Sequence, residues 1–349
     1  MENKGKSGFW LATALGIGAV AAYTLSGKNR SEYSFQDKVV LITGGSRGLG
    51  LVMARTFASE GAKIAICARN GEELARAKED LQSRDAEVFE TVCDVRNQSE
   101  VNRMIEAVCS HYGQLDVLIN NAGVIQVGPL EVQTQKDFED AMAIHFWAPY
   151  FTMSAAIPKM REQGAGKIVN ISSIGGKVSV PHLAPYCASK FALVGLSGAM
   201  RAELAKDNIE VTTVCPGLMR TGSHVNAVFK GQNEKEFAWF SIGNALPVSS
   251  ISAESAAEQI VEACRRGDAE LIISIQAVLA AKINTLFPEL VARVSGLVNQ
   301  LLPSAGGIGE GYALGKDSPS FASPSFLTAN IDEKSVQNNE IKSGAEIAR

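Results

Sequence analysis

The stretch Lys38-Val39-Val40-Leu41-Ile42-Thr43-Gly44-Gly45-Ser46-Arg47-Gly48-Leu49-Gly50 decides the fold. Its first half, KVVLIT, is a short β-branched apolar run, the pattern of a strand buried on both faces. Its second half is rich in glycine and leads into a helix-like stretch that ends at Gly61. Glycine allows the tight turn and lets backbone N–H groups come close to a pyrophosphate, and the helix N-terminus adds the positive end of its dipole. The spacing is not the G-x-G-x-x-G fingerprint, so the position after a first strand carries the reading.

Outward from this turn, strands and helices alternate. Further strands are predicted at Lys63–Ala68, Glu87–Cys93, Leu115–Asn120, Lys167–Ser172, Glu210–Cys215 and Glu270–Ser274. Helices are predicted at Glu72–Ser83, Gln98–Tyr112, around Phe138–Met160, at Ala188–Lys206 and at Ser252–Arg266. Alternation of this kind demands right-handed crossovers and a parallel sheet covered on both faces. The expected class is α/β, a doubly wound parallel sheet of about seven strands. No solenoid repeat is visible.

Chemistry-bearing residues fall at the carboxyl ends of these strands, where such sheets bind ligands. The second strand ends Cys67-Ala68-Arg69-Asn70, without the acid that commonly binds a ribose 2′-hydroxyl. A guanidinium attracts a 2′-phosphate instead, and Arg47 can approach it from the glycine turn, so NADP(H) is expected over NAD(H). Asn120-Asn121-Ala122-Gly123 ends the fourth strand, Ser172-Ser173 the fifth, and Pro216-Gly217 the sixth, with Thr221 just beyond. Tyr186 and Lys190 stand at i and i+4, on one helical face. A cation at roughly 5 Å and an effective dielectric of ~20 stabilises a phenolate by about 3 kcal/mol, which predicts a lowered Tyr186 pKa. A Tyr-x-x-x-Lys pair alone marks only neighbours on a helix.

Taken together, these motifs resemble the short-chain dehydrogenase/reductase family over about 35–274. They are TGxxxGxG at Thr43–Gly50, Asp94 after strand three, NNAG at Asn120–Gly123, Ser173, YxxxK at Tyr186 and Lys190, and PG at Pro216–Gly217. The resemblance implies a Rossmann-type fold and an oxidoreductase that interconverts a carbonyl and an alcohol. Tyr186 is implied as acid/base, Ser173 as a hydrogen bond to the substrate oxygen, and Lys190 as the group that lowers the Tyr186 pKa and holds the nicotinamide ribose. It places on the cofactor Gly44, Ser46, Arg47, Gly48, Leu49, Gly50, Arg69, Asp94, Val95, Asn121, Ala122, Gly123, Tyr186, Lys190, Pro216, Gly217 and Thr221. One departure stands out. The family usually has an Asn in the helix after NNAG, where it seats a relay water behind the Lys. Here that position is His145, which either serves the relay or packs without one. The family usually forms dimers through the two long helices, so a homodimer or homotetramer is expected.

The ends differ from the middle. Phe9–Leu25 is an uncharged apolar run of about 17 residues, spanning roughly 25 Å as a helix. It reads as a single-pass anchor, a cleaved signal or a buried helix, and the anchor is the expectation, with the catalytic domain facing the cytoplasm. Leu271–Leu302 is strongly apolar, and Pro288 should break it into two helices, as a membrane-contacting element, a substrate lid or ordinary core. The expected division is 1–34 anchor and linker, 35–274 catalytic domain, 275–302 apolar extension and 303–349 disordered tail. Gly222–Ser250 contains Phe229, Phe237, Trp239 and Phe240, an aromatic cap suited to an apolar ligand, with Trp147, His182 and Leu183 as further lining. A steroid, retinoid, or long-chain aldehyde or ketone fits that character. A 3-oxoacyl reductase and a non-catalytic NADPH sensor or scaffold are the alternatives.

Composition narrows the rest. With 33 Lys+Arg against 37 Asp+Glu, the net charge of −4 gives no basic surface for nucleic acid. The six cysteines are scattered, without metal-ligand or disulfide spacing, as in a reducing compartment, and no metal site is expected.

Overall fold

The computed structural model describes residues 33–245, 250–320 and 329–341. The run Phe9–Leu25, with the anchor and signal readings attached to it, lies outside them. The chain divides into 1–34 and 35–349, and all elements below belong to the second unit.

From the N-terminus these are β1 (Val39–Thr43), α1 (Gly48–Ser59), β2 (Lys63–Ala68), α2 (Gly71–Gln82), β3 (Val88–Val92), α3 (Gln98–Tyr112) and β4 (Val117–Asn120). A short β5 (Gln126–Val127) precedes α4 (Gln135–Met142), α5 (Ala148–Gln163), β6 (Gly166–Ile171), α6 (Ala184–Leu204) and β7 (Ile209–Pro216). Then come β8 (Leu218–Arg220), β9 (Val228–Phe229), α7 (Asn233–Ala245), β10 (Ser250–Ser252), α8 (Ala253–Arg266) and β11 (Glu270–Ile273). The chain continues through α9 (Ile275–Leu286), α10 (Pro288–Asn299), β12 (Ala313–Leu314) and α11 (Ala329–Gln337).

Seven strands form one parallel sheet in the order β11-β7-β6-β4-β1-β2-β3. These are the seven strands expected from the sequence. β1 lies between β2 and β4, with Ile42 in register with Ile66 and Ile119, and all five of its residues are buried. Each such aliphatic side chain stabilises the fold by roughly 1.5–3 kcal/mol on burial. The strand order reverses between β1 and β4, and the crevice at that switch point is where an open α/β sheet binds its ligand. Local chemistry sets the helix limits. Asn70 and Asn97 accept bonds from the first backbone N–H groups of α2 and α3, and Gly113 closes α3 in the left-handed region.

Three expectations need correction. The single helix over Phe138–Met160 is two helices joined by a π turn, Ala143–Trp147, across which Ala148 N–H bonds the Ala143 carbonyl. Pro149 has no N–H to give the ladder and stands in the first turn of α5, where a missing N–H is tolerated, just after the π turn. The helix expected from Ala188 begins at Ala184, with Pro185 in its first turn, where a missing N–H costs nothing. The tail 303–349 is not disordered where it is described: β12 pairs with β9, and α11 packs onto the loop after β8.

Pro288 does divide Leu271–Leu302. It opens α10, and α9 and α10 meet at a bend of 119°. Among the described residues no single helix is long and apolar enough to cross a membrane.

Packing is close at the glycine turn. A Cβ on Gly50 would run into the Gly44 carbonyl oxygen and the Asn121 amide. Gly50→Ala is therefore expected to destabilise the protein by about 1–3 kcal/mol, read as a lower denaturant midpoint. An unchanged midpoint would contradict this packing.

Candidate active site

The crevice is built first from the ends of β1 and β4. The Thr43 hydroxyl donates to the Ile119 carbonyl and accepts from the backbone N–H groups of Asn121 and Ala122, at 3.0 and 3.1 Å. The Asn121 amide donates to the carbonyls of Thr43 and Gly44, each at 3.1 Å. Gly44 has φ +64°, and a Cβ there would stand 3.0 Å from the Ala122 Cα, so only glycine suits this contact. Ser46 and Leu49 are buried in the turn, and Gly48 opens α1. Pro216, Gly217 and the buried Thr221 close the other side, where Gly217 N–H bonds the Ile273 carbonyl. Val95 is buried beyond β3.

The turn fits a dinucleotide. It presents a helix N-terminus and the charge of Arg47, and the anion standing there is the chain's own Glu340, 3.3 Å from Arg47 Nε. Arg47 also pairs with Glu73 at 3.2 Å. Arg69 is exposed and forms no ion pair among the described residues. Asp94 is held by Arg96, with Oδ2 2.6 Å from Nη2, and this bond keeps its carboxyl below the usual range.

The second half of the site comes from β6 and α6. Ser172 and Ser173 face opposite ways. The buried Ser172 hydroxyl donates to the Lys190 carbonyl, whereas the Ser173 hydroxyl accepts from the Gly175 N–H at 3.0 Å and lies near enough to Tyr186 to lower its phenol pKa. Lys190 Nζ donates to the Ile171 carbonyl at 2.9 Å and lies 5.7 Å from the centre of the Tyr186 ring. Burial pushes the Tyr186 phenol up to about 12, against a smaller lowering by Ser173. Burial also lowers Lys190 to about 8. The lowered Tyr186 pKa expected from the sequence is thus reversed, because desolvation disfavours the phenolate as it disfavours the ammonium.

His145 is fully enclosed. Its Nε2 accepts from Val124 N–H at 3.2 Å, and its Nδ1 lies 2.8 Å from the Ser189 hydroxyl. That hydroxyl spends its one proton on the Tyr186 carbonyl, so Nδ1 carries the ring hydrogen. Burial, then the Lys190 charge, holds the imidazole well below its ordinary pKa. Both nitrogens are engaged, and neither bonds Lys190. His145 ties the turn after β4 to the helix carrying Tyr186, rather than presenting a free nitrogen to a relay.

Sequence reasoning missed a buried polar chain. Asn120 donates to Asn170 at 2.8 Å and accepts from Thr152 at 2.6 Å, and Asn170 donates to Ser197 at 2.8 Å. The readable signal was an Asn inside the apolar strand Lys167–Ser172. The cap aromatics Phe229, Phe237 and Phe240 form a packed cluster with Val127, Leu183 and Cys187, and Tyr186 and Trp239 lie against it. His182 and Trp239 both bond the buried Glu236, at 2.8 and 2.7 Å. Trp147 is half-exposed and stacks on Phe151, instead of joining this cluster.

Comparison with known proteins agrees with this geometry. The family profile described as short chain dehydrogenase matches residues 38–230. A putative ketoacyl reductase of Streptomyces coelicolor is 37% identical over 186 residues, 53% of this chain and 71% of that protein. The dehydrogenase/reductase SDR family member 7B of Danio rerio is 31% identical over 301 residues, 81% of this chain and 95% of that one. Among solved structures, L-sorbose reductase from Gluconobacter frateurii, complexed with NADPH and L-sorbose, has a TM-score of 0.63 at 27% identity. It covers 70% of this chain and 97% of its own.

The enclosure of His145 has a direct test. Its imidazole resonances are expected to show no protonation between pH 8 and pH 6. Titration near the free value of ~6.5 would show that the ring is not held as described.

Proposed function

The chain belongs to the short-chain dehydrogenase family, and from that premise we propose an NADP(H)-dependent reductase of a lipophilic carbonyl compound that uses Tyr186 as its acid. At the coarser level the chain is an oxidoreductase of the alcohol/carbonyl type, with a nicotinamide cofactor and a small carbonyl or alcohol substrate.

The observation that carries the mechanism is the buried Lys190 held by the Ile171 carbonyl 5.7 Å from the centre of the Tyr186 ring, with Ser173 nearby at the carboxyl end of β6. When bound, the nicotinamide supplies the hydride. Tyr186, with its pKa raised, keeps its proton at neutral pH and donates it to the carbonyl oxygen. Ser173 hydrogen-bonds the same oxygen as charge develops on it. Lys190 places a positive charge 5.7 Å from the centre of the phenol ring and would hold the nicotinamide ribose when the cofactor is bound. His145 acts only as a positioning residue. A phenol at about 12 is a donor more readily than a base, which supports reduction over oxidation.

NADPH over NADH is supported by Arg69, exposed and without an ion pair among the described residues, and by Arg47 in the turn. Gly44, Ser46, Gly48, Leu49, Gly50, Asp94, Val95, Asn121, Ala122, Gly123, Pro216, Gly217 and Thr221 complete the proposed cofactor cleft. The lipophilic substrate is supported by the phenylalanine cluster against Tyr186. A 3-oxoacyl chain is the second reading, favoured by relatives named as ketoacyl reductases.

We extend the proposal to a membrane-associated enzyme that faces the cytoplasm. Its support is the run Phe9–Leu25 and the apolar elbow, in which α10 buries none of its residues and Ile275, Leu286 and Leu301 are 77%, 70% and 87% exposed. Exposed Trp147, Tyr150 and Phe191, on and beside α5 and α6, support a homodimer or homotetramer through these helices.

Tyr186→Phe is expected to lower NADPH-dependent reduction of apolar ketones by roughly 10²–10⁴-fold with NADPH affinity retained. Equal turnover would end the mechanism. Since Lys190 titrates at about 8, its charge is present below that pH and lost above it. Reductase kcat/KM is therefore expected to fall as pH rises through about 8, and a flat profile from pH 7 to pH 10 would contradict the role of Lys190. A chain starting at Phe35 should leave the membrane fraction if 9–25 is the anchor, whereas retention would assign the contact to α9 and α10.

A further inference from the structure

The end of the chain reaches the mouth of the cofactor crevice. From α11, Ser335 donates to the Gly222 carbonyl at 3.0 Å, and Asn338 donates to the Thr221 carbonyl at 3.1 Å. Across the crevice, Gly48 N–H donates to the Asn338 carbonyl at 2.8 Å, and the Asn339 amide donates to the Ser46 and Glu73 carbonyls. The tail therefore spans from the loop after β8 to the glycine turn. These are the two lips between which the dinucleotide phosphates are read to lie.

Glu340 fills the space between them. Its side chain is 3% exposed, with Oε2 3.3 Å from Arg47 Nε and 2.7 Å from Asn226 Nδ2. A Cβ on Gly48 would run into its Oε1, so the carboxylate sits directly over the first residue of α1. It uses the donors and the helix end that a phosphate needs. A carboxylate is a costly group to bury, and its placement on a cationic side chain, an amide and a helix N-terminus marks a built anion site rather than a chance contact. One donor set cannot serve two anions in the same volume.

We propose that the segment Ser335–Glu340 is an internal competitor for the nicotinamide dinucleotide, with Glu340 occupying the phosphate position of the glycine turn until the cofactor displaces it. The inference rests on the reading that the dinucleotide binds at this turn. It makes cofactor entry depend on release of the tail. It also makes Glu340 a determinant of cofactor affinity that lies about 290 residues from the turn in sequence. Arg47 is bracketed by Glu73 and Glu340 while the tail is seated, so it becomes available to a 2′-phosphate only as Glu340 leaves.

The test uses the full chain and needs no turnover. NADPH binding is followed by tryptophan fluorescence for the natural protein and for Glu340→Gln, and hydrogen–deuterium exchange over 329–341 is compared with and without NADPH. Competition predicts roughly tenfold tighter binding in Glu340→Gln, and faster exchange over 329–341 in the natural protein when NADPH binds. Binding that is equal or weaker in Glu340→Gln, together with slower exchange of the tail, would overturn the proposal and make the segment a strap over bound cofactor. Absence of NADPH binding in both chains, with both folded, would instead remove the dinucleotide reading of the turn, and the competitor with it.

Discussion

The structure depends on the contact between the glycine turn after β1 and the turn after β4. These two ends meet with almost no side-chain volume between them. The Thr43 hydroxyl serves two N–H groups of the β4 turn, and Asn121 returns its amide to two carbonyls of the glycine turn. The close approach of Gly50 to the Gly44 carbonyl then fixes the direction in which α1 leaves. Because β1 and β4 flank the reversal of strand order, this contact stands at the crevice where such a sheet binds its ligand.

Around that contact, buried polar groups are satisfied pair by pair. Asn120, Asn170, Thr152 and Ser197 link two strands to two helices, and a partnerless member of such a chain would cost about 1–3 kcal/mol. His145 makes a similar link from the π turn. One physical cause, desolvation, sets the protonation of the whole site: it raises Tyr186, lowers Lys190 and keeps His145 neutral. The result is a proton donor held against a cation that retains its charge only up to about pH 8.

The outer segments face different partners. The tail is polar, and its asparagines and Glu340 bond the crevice lips. In the apolar α9–α10 elbow, α9 buries Ala277 and Ala281 and bonds the Lys177 carbonyl through Asn284, whereas α10 buries none of its residues. Both segments follow β11, so the seven-stranded sheet is complete without them.

The sequence alone determined the seven strands, their alternation with helices and the residues that line the crevice. Those features are local: strand runs, glycine turns and a Tyr-Lys pair at helical spacing are read within a few residues. Pro288 was legible as a break for the same reason, since a missing N–H acts where it stands. Pro149 carried the same information and went unread, so the π turn that seats His145 was missed. Only the tertiary structure decided what depends on surroundings. The phenol pKa rose because enclosure outweighed a neighbouring charge that sequence spacing alone made dominant. The tail reads as disordered because its Gly, Ser, Pro and charged residues cannot form a core of their own. Where it is described, it is ordered by pairing with β9 and by bonds to groups nearly three hundred residues away, and no local pattern encodes such partners.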